Sequence, residues 1–167
     1  ILVQLIVPDK KGGVRDVVLG FDSVAGYEVN DCFFGATIGR NANRTAGAAF
    51  ELDGVVYHMT KNENGNNLHT DIDHGFHKVI WETELPEEEN AVRFSYHSPD
   101  GENGFPGNLD IKVTYTLQED NAIRIDYDGV SDKKTVINVT NHSYFNLNGH
   151  DSGSICDERV MIQADAF

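Results

Sequence analysis

The sequence predicts an all-β protein, on three observations. Short β-branched and aromatic runs recur between Gly, Asn and Asp punctuation at the intervals typical of all-β domains. Ile111, Val113, Tyr115 and Leu117 alternate with Lys112, Thr114 and Thr116, the pattern of a sheet with one packed and one wet face. Helical periodicity, by contrast, is hard to find along the chain. With 167 residues the protein is of single-domain size, enough to bury ~70% of the surface that the unfolded chain exposes.

The candidate strands follow in order. ILVQLIV (1–7) and VRDVVLG (14–20) are β-branched runs separated by a turn-rich Pro-Asp-Lys-Lys-Gly-Gly stretch, and FFGATIG (33–39) comes next. AAFEL (48–52) and VVYHMT (55–60) flank Asp53-Gly54, a strong two-residue hairpin signal. KVIWETEL (78–85), AVRFSYHS (91–98), LDIKVTYTL (109–117) and AIRIDYDG (122–129) continue the series, with QEDN (118–121) as a meander turn. TVINVTNHSYFNL (135–147) and RVMIQA (159–164) close it. There is no linker, low-complexity tract or repeat, so one domain over residues 1–167 is expected. The chain opens on Ile inside a strand-like run and stops at QADAF without a closing element, so that domain is expected to be partial, truncated at both ends.

Charge narrows the partners. The 27 acidic against 13 basic side chains leave a net charge of −14, which repels phosphate backbones and anionic membranes, so neither nucleic acid nor a membrane is an expected partner. No apolar run reaches the ~18 to 20 residues of a spanning helix, and the first residues lack a signal peptide's basic region and cleavage site. Cys32 and Cys156 fit no metal or redox spacing and make a disulfide framework improbable for this size, which points to the cytoplasm. The sequons at Asn43, Asn138 and Asn141 agree, because glycans on the last two would crowd the stretch richest in candidate chemistry.

That stretch is NVTNHSYFNL (138–147). Read as an extended strand, its even face carries Asn138, Thr140, His142, Tyr144 and Asn146, and its odd face Ile137, Val139, Asn141, Ser143, Phe145 and Leu147. A row of neutral donors and acceptors is either the solvated side of a sheet or the floor of a cleft for a polyhydroxyl ligand, which needs many hydrogen bonds and little charge. His142 would be the chemical centre, because an imidazole can pass protons either way near neutral pH, or else a sheet histidine bonded to a carbonyl. A second cluster, NNLHTDIDHGFHK, holds His69, His74 and His77 with Asp71 and Asp73, but its spacing matches neither a zinc pattern nor the calcium loop, and no metal is expected. In GRNANR (39–44), Arg40 and Arg44 read either as positioned donors or as surface salt bridges. Trp81, Phe105 and Tyr144 could stack on a sugar ring, although most strand aromatics are core.

Taken together, GRNANR (39–44), FELDGVVYHM (50–59), NNLH (66–69), GFHKVIW (75–81), SPDGENGFPGNL (98–109), VTYTL (113–117) and NVTNHSYFNL (138–147) resemble the aldose 1-epimerase, or galactose mutarotase, family. The likeness covers nearly the whole chain but only about the first half of a family member. It implies a large antiparallel β-sandwich of the galactose mutarotase type, with a cofactor-free site in an open cleft that interconverts the α and β anomers of free hexoses. By the same likeness His142 is the general acid toward the ring oxygen and His69 a second hydrogen-bonding or acid-base group beside it. Arg44 and Asn43 would bind sugar hydroxyls, with Asn141 and Tyr144 as substrate-binding neighbours of His142. The family's general base, a Glu, and a sugar-binding Asp belong to its C-terminal half and are expected beyond Phe167.

The chain departs from the family pattern directly after His69. Thr70-Asp71 stands where Gly-Gly is usual, one extra residue precedes Gly75, and His77 replaces a frequent Asp. This lengthened loop is expected to shift His69. Two other functions fit the resemblance: a sugar-binding module of the same fold without the chemistry, and an epimerase of hexose 6-phosphates.

Overall fold

The computed structural model describes residues 1–166. It is built of short strands and one short helix: β1 (Ile6–Pro8), β2 (Val14–Asp16), α1 (Val24–Glu28), β3 (Thr37–Ile38), β4 (Arg44–Thr45), β5 (Ala49–Leu52), β6 (Val55–His58), β7 (Asn67–Leu68), β8 (Glu82–Glu84), β9 (Ala91–Ser98), β10 (Leu109–Leu117), β11 (Ile123–Ser131) and β12 (Thr140–Asn141). The all-β expectation holds, and among the described residues the named strands pair antiparallel, with one isolated parallel bridge between Asn41 and Asn138. Among the described residues no helix is long and apolar enough to cross a membrane.

Two compact units make up the chain, Ile1–Gly35 with the residues from Ser143 onward, and Ala36–His142. In the first, β1 and β2 pair around a turn in which the Asp9 carboxylate accepts the amides of Lys11 and Gly13 at 2.7 and 2.9 Å. Residues 1–5 and 17–20, expected as strand, hold their neighbours through single bonds instead, such as Leu2 to Gly35 and Val17 to Leu5. Helix α1 has no sequence signal, since five residues are too few to show a period. Residues 159–164 form no strand and expose Val160, Met161 and Ile162. A strand exists only against a ladder partner, and the described residues offer none there.

The second unit centres on a four-stranded sheet in the order β11-β10-β9-β8. The alternation in β10 decides its faces as far as Tyr115: Leu109, Ile111, Val113 and Tyr115 are buried, whereas Asp110 and Lys112 are exposed. At the strand's end the order reverses, with Thr116 buried and Leu117 exposed. Phe76 packs on Leu109 and Ile111 together with Trp81, Tyr96 and Val139, and a second cluster joins Ala48, Met59 and Phe105 to Phe50 and Val136. Full burial of Phe76, Leu109, Ile111 and Phe105 contributes about 1.5–3 kcal/mol each. The Asp53-Gly54 hairpin closes as expected, both residues adopting positive φ (53° and 80°), as a type I′ turn requires. The QEDN turn joins β10 to β11 through Gln118 N–H to the Ala122 carbonyl, 2.8 Å.

The long strands expected at 33–39 and 135–147 are each reduced to two residues. Phe33 and Gly35 have φ of 60° and 63°, which breaks the extended backbone before β3 begins. Residues 138–142 bond in turn to Arg40, Ala42 and the β3 segment rather than to one continuous neighbour. The strict two-residue alternation of faces is therefore lost, and Asn146 is buried while Tyr144 is half-exposed.

Candidate functional site

Within the second unit, three loop segments meet, and a buried cation anchors the first. Arg40 is only 1% exposed, and all five of its N–H donors are used. Nε donates to Ser98 Oγ (2.8 Å), Nη1 to the carbonyls of Pro106 (3.2 Å) and Gly107 (2.9 Å), and Nη2 to those of Ser98 (2.8 Å) and Pro99 (3.0 Å). Burial works against its charge, and the Glu102 carboxylate, bonded by Ser98 Oγ and by the Tyr96 hydroxyl at 2.7 Å, works for it. The Tyr96 hydroxyl is itself pushed up to about 12 by burial and by Glu102. Of the two readings open for this pair of arginines, Arg40 is the positioned donor, used internally, and Arg44 is the surface salt bridge.

From this anchor the chain runs to Asn43, in left-handed conformation (φ 64°), whose Oδ1 accepts the Arg44 amide at 2.9 Å. Short polar side chains tolerate that conformation by bonding locally. The exposed Arg44 guanidinium makes a two-point ion pair with Glu63, Nη2 to Oε1 at 3.0 Å and Nε to Oε2 at 3.2 Å. Each partner favours the other's charge, so the pKa of Arg44 rises and that of Glu63 falls.

The second segment carries His69. Asn67, fully buried, donates to the carbonyls of Thr60 (2.8 Å) and Thr70 (2.6 Å) and accepts the Thr70 amide (3.2 Å). His69 has φ 56°, and Thr70, at 72°, is the centre of a γ-turn closed by Asp71 N–H to the His69 carbonyl, 2.9 Å. Positive φ at a β-branched residue is uncommon and strained, which gives a physical reason for glycine at this place in the family. Here the Thr70 hydroxyl compensates: it accepts the Asn41 amide (2.9 Å) and donates to the Asn41 carbonyl (3.1 Å), tying the loop to the segment of Arg40. His69 and Asn43 are joined twice, by His69 N–H to the Asn43 carbonyl and by Asn43 N–H to His69 Nδ1, both 3.0 Å.

The third segment brings His142, whose amide donates to the Ala36 carbonyl at 2.8 Å. Its ring stands edge-on to that of His69, with centroids 5.0 Å apart and planes at 88°. Asn141 points the other way, donating from Nδ2 to the Tyr115 hydroxyl (3.3 Å), which also meets Thr37 Oγ1 at 3.2 Å. Burial, then the charges of His142, His77 and Arg44, drives the His69 imidazole down to about 4. His77 is also lowered, chiefly by burial, and its Nε2 meets the Ile72 carbonyl at 2.8 Å. His74 pairs with Asp71 at 3.1 Å, so these two histidines serve the loop's own structure.

Four of the six expected site residues, Asn43, Arg44, His69 and His142, lie in these three segments. Asn141 joins them with its side chain turned toward the sheet. Tyr144 belongs to the first unit, where its ring packs edge-on to Phe34 at 5.1 Å. Phe105 is fully buried, and Trp81 packs on Phe76 and Tyr96 while its Nε1 donates to the Phe76 carbonyl. A concavity of about 650 Å³ opens on the wet face of the four-stranded sheet, between His97, Asp110, Lys112 and Asp128, and none of the six residues lines it. Sequence reasoning named Arg40 with two open readings, a positioned donor or a salt bridge, and missed the positioning parts of Glu102, Asn67 and Thr70.

The structure is a strand-rich, antiparallel fold in which His69 and His142 meet beside the Asn43-Arg44 turn. The aldose 1-epimerase family model matches residues 1–167, and the chain belongs to that family. It is 45% identical to galactose mutarotase of Homo sapiens over 99% of this chain and 47% of that protein. It is 37% identical to aldose 1-epimerase of Escherichia coli, again over 99% of this chain and 47% of the relative. Among solved structures, the aldose epimerase homologue from C. elegans superposes with a TM-score of 0.81 at 35% identity, over 88% of this chain and 45% of that one. Galactose 1-epimerase from Lactobacillus acidophilus gives a TM-score of 0.72 at 29% identity, over 82% and 41%. The fold class is thus that of galactose mutarotases, and the chain spans about half the length of the curated relatives it matches.

Proposed function

We propose that the intact protein interconverts the α and β anomers of free hexoses such as galactose and glucose. The observation that supports this most directly is the edge-on contact of His69 and His142, 5.0 Å apart, beside the turn that carries Asn43 and Arg44. A base takes the proton of the C1 hydroxyl while His142 protonates the ring oxygen, and the C1–ring oxygen bond breaks to give the open aldehyde. Rotation about the C1–C2 bond and closure on the other face, with both protons returned, yield the opposite anomer. The base is a Glu expected beyond Phe167, in the single sandwich domain of which this chain would be one part. His69 bonds the ring oxygen, and Arg44 and Asn43 hold the sugar, while Asn141, bonded to the Tyr115 hydroxyl, secures the segment that carries His142. The chemistry is proton transfer alone and calls for no cofactor.

A neutral substrate agrees with the ion pair between Arg44 and Glu63, because the carboxylate offsets the charge that a sugar phosphate would seek. The net charge of −14 and the two exposed cysteines suit a cytoplasmic enzyme without nucleic-acid or membrane partners. Polarimetry on freshly dissolved α-D-galactose tests the proposal. The intact protein should accelerate mutarotation, and His142→Gln should remove about 10²- to 10⁴-fold of that rate, the usual contribution of a positioned acid. Saturable galactose binding at a buffer-level rate would make it a binding module, and acceleration confined to hexose 6-phosphates would make it a sugar-phosphate epimerase.

A further inference from the structure

We propose that His69 is a fixed, neutral hydrogen-bond donor: the backbone amide of Asn43 occupies Nδ1, holds the ring in its Nε2–H form, and leaves proton transfer to His142. The identity of the acceptor, a sugar ring oxygen, rests on the epimerase reading, whereas the tautomer does not.

A ring nitrogen that accepts an N–H has committed its lone pair and cannot also carry a proton. The Asn43 amide lies 3.0 Å from Nδ1, and an amide N–H can only donate. Both the Nδ1–H tautomer and the imidazolium would set two hydrogens against each other on that line. Nor can the amide easily turn away. The His69 amide bonds back to the Asn43 carbonyl at 3.0 Å, Asn43 is held at φ 64° by its bond to the Arg44 amide, and Thr70 bonds both backbone groups of Asn41.

The charged and titratable groups that act on the ring agree. Burial is the largest influence against a positive charge on His69, and His142, His77 and Arg44 add to it. Two imidazoles 5.0 Å apart therefore have different duties. One donates a constant hydrogen bond, and the other exchanges the proton. A neutral imidazole that gave up its Nε2 proton would be left as an imidazolate, because Nδ1 cannot be protonated against the Asn43 amide, whereas a hydrogen bond from Nε2–H is kept unchanged between turnovers.

Long-range ¹H–¹⁵N correlation spectra of the intact protein with labelled histidine test this, with His69 assigned through its bonds to the backbone rather than by substitution. The expected result is an unprotonated Nδ1 and a protonated Nε2 that do not titrate between about pH 5 and 8, the range in which an ordinary histidine changes charge. An Nδ1–H pattern, or titration in that range, would overturn the proposal. The readout needs no turnover, so a protein without mutarotase activity would sink the epimerase reading and leave this one standing. With activity in hand, His69→Gln should lower kcat/KM without removing a limb of its pH profile, and loss of a limb would overturn the assignment.

Discussion

Replacing Thr70 by Val removes the hydroxyl that ties the His69 loop to Asn41 and changes little else. The shape, the β-branch and the φ of 72° all remain, so the strain is kept and its compensation is lost. The Asn41 amide (2.9 Å) and carbonyl (3.1 Å) both lose their partner. Each buried polar group left unpaired costs about 1–3 kcal/mol. Thr70 is fully buried but Asn41 only half so, which places the sum at the lower end, about 2–4 kcal/mol for the pair. Thr70→Gly loses the same hydroxyl but releases about 1–3 kcal/mol of backbone strain and opens space through which water can reach Asn41. It should therefore cost less than Val, and Thr70→Ser, which keeps the hydroxyl, should stay within about 1 kcal/mol of the parent. Urea unfolding of the intact protein, compared at a common slope, gives the three differences. A Val variant within 1 kcal/mol of the parent, or a Gly variant worse than Val, would refute the claim that the hydroxyl stabilises this turn.

Three further outcomes are expected. Arg40→Met strips four carbonyls and Ser98 Oγ of their donor and leaves the Glu102 carboxylate uncompensated, a loss of about 3–5 kcal/mol. Arg40→Lys, with three donors in place of five, should recover only part of it in the same unfolding assay. For pH, the folded His69 takes up its proton only near 4, whereas in the unfolded chain it does so near 6.5. The unfolded state therefore binds more protons between those values, and stability falls as pH drops through that window. His77 acts in the same direction. His69→Gln should flatten part of this slope, and an unchanged slope would refute the buried, neutral imidazole. Glu63→Gln releases the Arg44 guanidinium without touching the core. The unfolding midpoint should hold while KM for galactose rises roughly two- to fivefold at unchanged kcat, the range set by an exposed pair, and a loss confined to kcat would count against a positioning role.

Much of the fold was legible because β9, β10 and β11 are long, alternating and joined by local turns. The limits expected for β9 and β10 agree with the observed ones to the residue. Legibility failed where an element is defined by a distant partner. The run 135–147 reads as one strand, yet its bonds pass from Arg40 and Ala42 to the β3 segment within a few residues, and no local pattern records that. The residues proposed to carry the chemistry, His69, His142, Asn43 and Arg44, were reached through the resemblance of several motifs in the right order. The groups that hold them, Arg40, Asn67, Thr70 and Glu102, are buried polar side chains in loops, where neither periodicity nor composition marks burial. At the departure after His69, the positive φ of Thr70 is compensated by hydrogen bonds that join its hydroxyl to both backbone groups of Asn41.

The site is held by two kinds of contact that respond differently to their surroundings. Asn43, His69 and His142 are fixed by bonds between backbone groups or to half-buried rings, and the loops behind them by Arg40, Asn67 and Thr70, all but inaccessible to solvent. Arg44 alone is aimed by an exposed ion pair. Salt screens exposed charges strongly, to a Debye length of about 3 Å at 1 M, and buried bonds very little. High ionic strength thus loosens the guanidinium while leaving the two imidazoles in register. With Arg44 orienting the sugar and His142 transferring the proton, as proposed, salt is expected to act on substrate affinity and to leave the acid step unchanged. By the same division, a substitution at a buried polar anchor such as Thr70 is expected to reach His69, whereas one at Glu63 is expected to reach only its partner.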